Sequence, residues 1–132
     1  MRVLVFGSRT FDDWRPIHTV LEGYLRACVE VSDTLGIIEG GARGADRFAR
    51  EFFDGQDGRL LHDNIYHETY PADWKNDGRS AGPKRNRRMA RLGEPDVAWG
   101  FVDKPLANSV GSYDMAQVCL GLSIPTYIVQ KL

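Results

Sequence analysis

The sequence feature that most constrains the fold is a short apolar run that ends in a glycine cluster and passes directly into a helical pattern. The run begins at Leu35, and apolar residues after the cluster recur at the spacing of one helix face. Because glycine adopts tight backbone conformations that bulkier residues avoid, this stretch predicts a strand, a sharp turn and a helix. The glycines are Gly40, Gly41 and Gly44, and the helical positions are Ala45, Phe48, Ala49 and Phe52.

This turn predicts an anion site. A helix that begins between Ala42 and Ala45 would direct unpaired backbone N–H groups, and the positive end of its dipole, away from the strand. The alternative is a tight turn without a ligand, in which Asp46 is a first-turn carboxylate favoured by the helix dipole. The predicted ligand contacts in this stretch are Gly40, Gly41, Ala42, Arg43, Gly44 and Asp46.

Strand-like and helix-like stretches alternate along the whole chain. We predict strands at residues 3–6, from residue 35 to the glycine cluster, and at 65–70, 96–102 and 126–129. Helices are expected at 17–28, from 45 to the cluster at 54–58, at 83–92 and within 109–122, with a polar connection at 59–64 and a long loop at 71–82. Right-handed crossovers then give one domain over residues 1–132, an α/β, Rossmann-like three-layer sandwich with a five-stranded, mostly parallel sheet in the order 3-2-1-4-5.

Polar clusters follow the predicted strands or begin the predicted helices. In open α/β sheets, ligands bind in the crevice outside the carboxyl ends of the central strands, so these clusters are expected to meet at one site. Gly111 and Ser112 stand near the start of a second helix that could hold an anion. Beyond the glycine turn, the predicted ligand contacts are Gly7, Ser8, Arg9, Asp73, Trp74, Arg85, Asn86, Gly111 and Ser112.

The charge distribution is uneven. The net charge of −1 argues against bulk electrostatic binding of nucleic acid. Residues 75–91 nevertheless hold seven basic residues and one acid, which indicates either a solvated surface or the wall of an anion site. No Walker A motif and no complete Gly-x-Gly-x-x-Gly is present, and His18, His62 and His67 lack metal-ligand spacing, so we predict no cofactor and no metal.

No apolar run approaches the length of a bilayer span, and the apolar residues after Met1 are typical of a strand rather than a signal sequence. We therefore expect a cytoplasmic protein without a membrane partner. Cys28 and Cys119 fall on the apolar sides of predicted helices, which indicates reduced core residues.

Five motifs, in their order and spacing, resemble the YspA-like branch of the SLOG superfamily. That superfamily includes the Lonely Guy phosphoribohydrolases and the single-stranded DNA-binding DNA-processing protein A. The resemblance implies a nucleotide or nucleotide-derived ligand, bound by a sensor or ligand-binding module, with Trp74 stacked on the base or capping the core and Asp46 or Asp73 accepting from ribose. The motifs are Gly7-Ser8-Arg9, Gly40-Gly41-Ala42-Arg43-Gly44-Ala45-Asp46, Pro71-Ala72-Asp73-Trp74, Gly82-Pro83-Lys84-Arg85-Asn86-Arg87-Arg88-Met89 and Gly111-Ser112-Tyr113-Asp114-Met115.

Two other functions stay open at this stage. Similarity to Lonely Guy enzymes implies that Arg85 and Asp114 are the catalytic pair of a nucleoside monophosphate N-glycosidase, but Asp114 stands one residue before the position of the family's glutamate and is one methylene shorter. We therefore favour binding without efficient hydrolysis. A single-stranded nucleic-acid binder that uses residues 84–91 is the second alternative, which the net charge and the absence of an aromatic ladder disfavour. A homo-oligomer is compatible with each of these functions.

Overall fold

The fold is built on a five-stranded parallel sheet. The computed structural model describes residues 1–56 and 64–131. Its strands lie in the order β3-β2-β1-β4-β5, and every neighbouring pair is parallel, which confirms the predicted sheet and its order. The strands are β1 (Arg2–Gly7), β2 (Leu35–Glu39), β3 (Ile65–Thr69), β4 (Val97–Val102) and β5 (Thr126–Gln130).

Helices cover both faces of this sheet. The central strand β1 alternates, with Val3 and Val5 in the core beneath α1 and α2, and Leu4 and Phe6 in the core beneath α4 and α5. This double burial explains the continuous apolar run of β1 and confirms the Rossmann-like three-layer arrangement. The helices are α1 (Arg15–Glu30), α2 (Ala45–Asp54), α3 (Trp74–Asp77), α4 (Ala81–Leu92) and α5 (Val110–Gly121).

The segment after β3 differs from the prediction. The predicted loop at 71–82 contains the short helix α3 and a 3₁₀ turn at Gly78–Ser80, and α4 begins at Ala81 rather than at Pro83. Asp73 starts α3 because its carboxylate accepts the backbone N–H of Asn76 at 3.2 Å. Pro83 is tolerated as the third residue of α4 because the first four N–H groups of a helix have no intrahelical partner.

The predicted end of the second helix agrees with α2, which ends at Asp54. Residues 57–63, which include His62 and most of the predicted polar connection at 59–64, lie outside the described residues. Both cysteines, Cys28 and Cys119, are buried with free thiols, as the sequence predicts. Among the described residues, no helix combines the length and the apolar composition that crossing a membrane requires.

Two turns pack against each other at the carboxyl edge of the sheet. The N–H of Ser8, just beyond β1, donates to the carbonyl of Phe101 in β4 at 3.0 Å. Gly44 has a φ of +70°, and a Cβ at that position would lie 2.2 Å from the carbonyl oxygen of Ser8. Only glycine fits at this position, and the close contact packs the turn after β2 against the turn after β1.

Candidate functional site

A cavity of about 970 Å³ opens at the carboxyl ends of β1, β2 and β4, with the first turns of α4 and α5 as its walls. Its size falls within the range of small-molecule sites. The predicted residues that line it are Gly7, Ser8, Arg9, Gly40, Gly41, Ala42, Arg43, Asp46, Trp74, Arg85, Asn86, Gly111, Ser112 and Asp114.

Two predicted ligand contacts do not line this cavity. Gly44 packs against the backbone of Ser8 and Arg9 instead. Both carboxylate oxygens of Asp73 are engaged by Asn76, one with its backbone N–H and the other with its side-chain amide at 2.8 Å. The roles that the structure gives these two residues are therefore a backbone contact and a helix cap.

The glycine turn differs from the predicted anion cradle, because three of its N–H groups are already engaged. Asp46 Oδ2 accepts from the N–H of Gly40 at 3.0 Å and from that of Ala42 at 3.2 Å. Glu39 Oε2 accepts from the N–H of Gly41 at 2.6 Å. α2 begins at Ala45, within the predicted range, and the turn before it is closed by the carboxylates of Asp46 and Glu39.

Asp46 is a buried carboxylate at the floor of the cavity, with 5% of its surface exposed. Burial, followed by the nearby charge of Glu39, raises its pKa from 3.8 to about 6, although the two N–H donors and Arg85 oppose the change. Its second oxygen, Oδ1, receives no hydrogen bond from any residue within the described ranges. That oxygen is available to a donor on a ligand.

Glu39, at the end of β2, is fully buried and has a role that the sequence pattern did not predict. Arg50 donates to it at 2.7 Å and Thr69 at 2.7 Å, and the ring of His67 lies 3.1 Å away. Burial alone would raise the pKa of Glu39, but the hydrogen bonds from His67, Thr69 and Gly41 and the charge of Arg50 lower it overall. The sequence signal that could have predicted this network is an acid, Glu39, as the last residue of an apolar strand.

Arg85, Asn86 and Asp114 form a chain of hydrogen bonds along one wall of the cavity. Arg85 Nη1 donates to the carbonyl of Gly40, and its Nε donates to Asn86 Oδ1 at 3.0 Å. Asn86 Nδ2 in turn donates to Asp114 Oδ2 at 3.0 Å. Burial lowers the pKa of Arg85, against the nearby carboxylates of Asp46 and Glu39. The guanidinium therefore supports the glycine turn as well as facing the cavity.

The start of α5 offers the cavity free backbone donors. Tyr113 makes the first intrahelical hydrogen bond, from its N–H to the carbonyl of Ser109 at 2.7 Å. The N–H groups of Val110, Gly111 and Ser112 precede it, and no acceptor for them occurs among the described residues. With the positive end of the helix dipole, they suit an anion better than the glycine turn does.

Cations dominate the rim of the cavity. Arg9 lies with its guanidinium carbon 5.9 Å from the centre of the Trp74 ring, and Trp74 itself is 52% exposed. Arg43, Arg79 and Lys104 form no ion pair with any residue in the described parts of the chain. These side chains give the rim an excess of positive charge.

Much of the remaining basic stretch is engaged elsewhere. Lys84 pairs with Asp77 at 3.2 Å, Arg87 donates to the carbonyl of Pro83 at 2.9 Å, and Arg88 donates to that of Pro71 at 2.7 Å. These contacts leave fewer free cations along α4 than the sequence indicates.

A second cavity, of about 670 Å³, lies between α1 and α2. Trp14, His18 and Phe52 give it aromatic walls, and its charged lining residues are Arg15, Glu22 and Glu51. In the described part of the chain, no group of three or more His, Cys, Asp or Glu side chains has an arrangement that could hold a metal ion.

Two comparisons with known proteins add to this geometry. Residues 1–76 match the model of the YspA, cpYpsA-related SLOG family, a segment that carries β1 to β3 and both turns at the carboxyl edge. The chain is also 37% identical over 111 residues to the Gene 61 protein of Mycobacterium phage D29, an alignment that covers 84% of this chain and 82% of that protein.

Proposed function

The chain belongs to the YspA, cpYpsA-related SLOG family, and from that premise we propose that it binds a nucleotide or nucleotide-derived small molecule in the 970 Å³ cavity, as a sensor or ligand-binding module. The observation that carries this proposal is the pairing of free backbone donors at the start of α5 with a cationic rim. A phosphate needs both features, because N–H donors orient it and cations offset its charge.

The phosphate belongs at Gly111 and Ser112 rather than at the glycine turn. Near Gly40, Gly41 and Ala42, the carboxylates of Asp46 and Glu39 already accept the N–H groups and would repel a second anion. At the start of α5, the N–H groups have no acceptor among the described residues. Lys104, in the connection between β4 and α5, also lines the cavity.

The nucleoside then lies between Asp46 and Trp74. Asp46 Oδ1 is an acceptor without a donor among the described residues, which suits a ribose hydroxyl. The half-exposed Trp74 ring offers a flat surface against which a base can stack. Arg9 already lies over this ring, so a bound base would either replace it or stack on the opposite face.

The test is a thermal-shift panel of nucleoside monophosphates, since a ligand selective for the folded state raises the melting temperature by mass action. Lys104→Ala should reduce the shift while leaving the melting temperature of the free protein unchanged. Lys75→Ala is the matched control, because Lys75 is exposed and does not line the cavity. Equal shifts for both variants would contradict the assigned phosphate position, and no shift with any nucleotide would contradict the function.

A phosphoribohydrolase is the second candidate, and the environment of Asp46 favours it. A carboxyl group with a pKa of about 6 that faces the cavity can donate a proton to a departing base. The position of the family's glutamate is Met115 here, which is buried in the core, while Asp114 is held by Asn86. We therefore infer binding without efficient hydrolysis.

Chromatographic detection of free base after incubation with each nucleoside monophosphate tests that inference. Robust release, abolished by Asp46→Asn or by Asp114→Asn with nucleotide binding retained, would make the protein a hydrolase. The variant that abolishes release would identify the carboxylate that acts.

A further inference from the structure

We propose that the outer edge of β5 pairs with the same edge of a second copy of this chain, so that the two sheets join into one. The contact is antiparallel and has two-fold symmetry about Ile128. It is separate from the nucleotide site, because no residue of β5 lines the cavity of about 970 Å³. Three features of this edge carry the inference: its free backbone groups, its lack of charge and the match of its side chains to one another.

The outer side of β5 has backbone groups without partners among the described residues. β5 is the last strand of the sheet and pairs only with β4. The carbonyl of Pro125 accepts from β4 at 2.9 Å, and the N–H of Lys131 donates to β4 at 2.8 Å, so the odd-numbered residues are directed towards β4. Because the direction alternates along a strand, Thr126, Ile128 and Gln130 direct their N–H and C=O groups outward.

This edge carries no charge that would keep two copies apart. No Asp, Glu, Lys, Arg or His occurs from residue 115 to residue 130. Charged side chains often protect edge strands from pairing, as in β3 at the other edge of the sheet, where Glu68 forms an ion pair with Arg2. Lys131, just beyond β5, is paired with Asp13 at 3.0 Å. Two copies of β5 can therefore approach without like charges opposite each other.

Apolar side chains are exposed along β5 and on the segment before it. Tyr127 is 51% exposed, although its ring stacks on that of Trp99 with 4.8 Å between the ring centres, and Ile128 is exposed as well. Leu120 and Leu122, which lead from α5 towards this strand, are also exposed. Exposed apolar surface of this kind indicates an interaction site.

An antiparallel pair of β5 strands centred on Ile128 matches these groups with each other. In this register Thr126 lies opposite the partner's Gln130, and Ile128 lies opposite its own copy, so the outward N–H and C=O groups form hydrogen-bonded pairs. Tyr127 lies opposite the partner's Val129, and pairs of an aromatic with a β-branched side chain stabilise antiparallel strands. Each contact away from the axis occurs twice. The strand therefore fits a second copy of itself in both backbone and side chains.

Sedimentation velocity over a series of protein concentrations tests the association. The mass of the wild type should rise from one chain to two as the concentration increases. Gln130→Pro removes an outward N–H but no hydrogen bond to β4, so it should weaken the dimer by about tenfold or more and preserve the fold. Gln130→Ala is the matched control, because it keeps the N–H, and it should leave the dissociation constant of the dimer unchanged.

A charge at the symmetry axis provides a second variant. Ile128→Lys places two like charges opposite each other and should give a monomer. Val31→Lys is the matched control, because Val31 is exposed at the end of α1 and lies outside β5. Thermal unfolding of each variant shows whether it is folded. If Ile128→Lys does not fold, the two variants at Gln130 decide the result.

Cross-linking tests the register. Opposite residues of a hydrogen-bonded antiparallel pair have Cα atoms about 5.5 Å apart, which is within the range of a disulfide. Mild oxidation should therefore link two chains of Ile128→Cys. The wild type should stay unlinked because Cys28 and Cys119 are buried, and Val31→Cys should stay unlinked because Val31 lies outside the contact.

Two results would overturn the proposal. A wild type with the mass of one chain at every concentration would leave this edge to a strand of another protein. A dimer that persists in Gln130→Pro, or one that Ile128→Cys does not cross-link, would lie on another surface of the molecule. Neither result bears on nucleotide binding, which depends on the cavity at the carboxyl ends of β1, β2 and β4.

Discussion

The carboxylate of Asp46 accepts the backbone N–H of Gly40 at 3.0 Å, so the turn that resembles a phosphate cradle is closed by an anion of the protein itself. An acid in the first turn of a helix can therefore accept the backbone N–H groups that a glycine-rich turn would otherwise offer to a bound anion. We therefore propose that an anion binds at the start of α5, where the backbone N–H groups have no acceptor among the described residues.

Asp46→Asn should stabilise the protein at about pH 7 and leave its stability unchanged at about pH 4. Because the pKa rises from 3.8 to about 6 on folding, the folded protein keeps a proton that the unfolded chain releases as the pH rises through this window. The wild type therefore loses up to about 3 kcal/mol of stability between about pH 4 and pH 6, and the neutral amide avoids that loss. Urea unfolding of the wild type and of Asp46→Asn between about pH 4 and pH 7 measures this loss. A difference in unfolding free energy between the two proteins that does not change with pH would contradict the prediction.

Glu39→Gln should lower the free energy of unfolding by about 3 kcal/mol, because it leaves Arg50 with a buried, uncharged partner. The change removes charge but little volume, so packing is preserved. Glu51→Gln is the control on the exposed ion pair with Arg47, where a loss of less than about 1 kcal/mol is expected. Chemical denaturation that gives equal losses for the two variants would show that the Glu39 network contributes little.

Arg85→Ala should both weaken ligand binding and destabilise the free protein, by about 1–3 kcal/mol. From the sequence alone, this change is expected to affect binding with little effect on the free protein. The structure predicts otherwise, because Arg85 donates to the carbonyl of Gly40 and lies beside the buried carboxylate of Asp46. Arg91→Ala, at an exposed position of the same helix, should leave the melting temperature unchanged, so a similar fall in both variants would count against the role of Arg85.

Gly44→Ala should destabilise the protein by several kcal/mol, because the new Cβ would meet the carbonyl oxygen of Ser8 at 2.2 Å in a backbone conformation with a φ of +70°. Gly23→Ala is the control. Gly23 lies within α1 with open space around it, so alanine should stabilise the helix there by about 1 kcal/mol. Thermal unfolding of both variants decides the matter, and a tolerated alanine at position 44 would mean that the two turns are not held together in this way.

The sheet order and the two-sided core were predictable because apolar strand runs alternate with helical apolar spacing along the chain, from Val3 in β1 to Val129 in β5. The convergence of the polar clusters was predictable for the same reason, since parallel strands end at one edge. The hydrogen-bond partners of Glu39 were not predictable, because it contacts His67 and Thr69 only through the register of β2 against β3. The short helix α3 was not predicted either. Its start depends on one carboxylate, that of Asp73, which the sequence does not distinguish from the other charged residues of the loop.

The most direct test of the central claim is a proton–nitrogen correlation spectrum of the labelled protein, titrated with the nucleoside monophosphate that gives the largest thermal shift. The account predicts the largest changes at the backbone N–H groups of Gly111 and Ser112 and at the indole N–H of Trp74. Changes confined to the second cavity, around Trp14 and His18, or the absence of any change at saturating nucleotide, would contradict it.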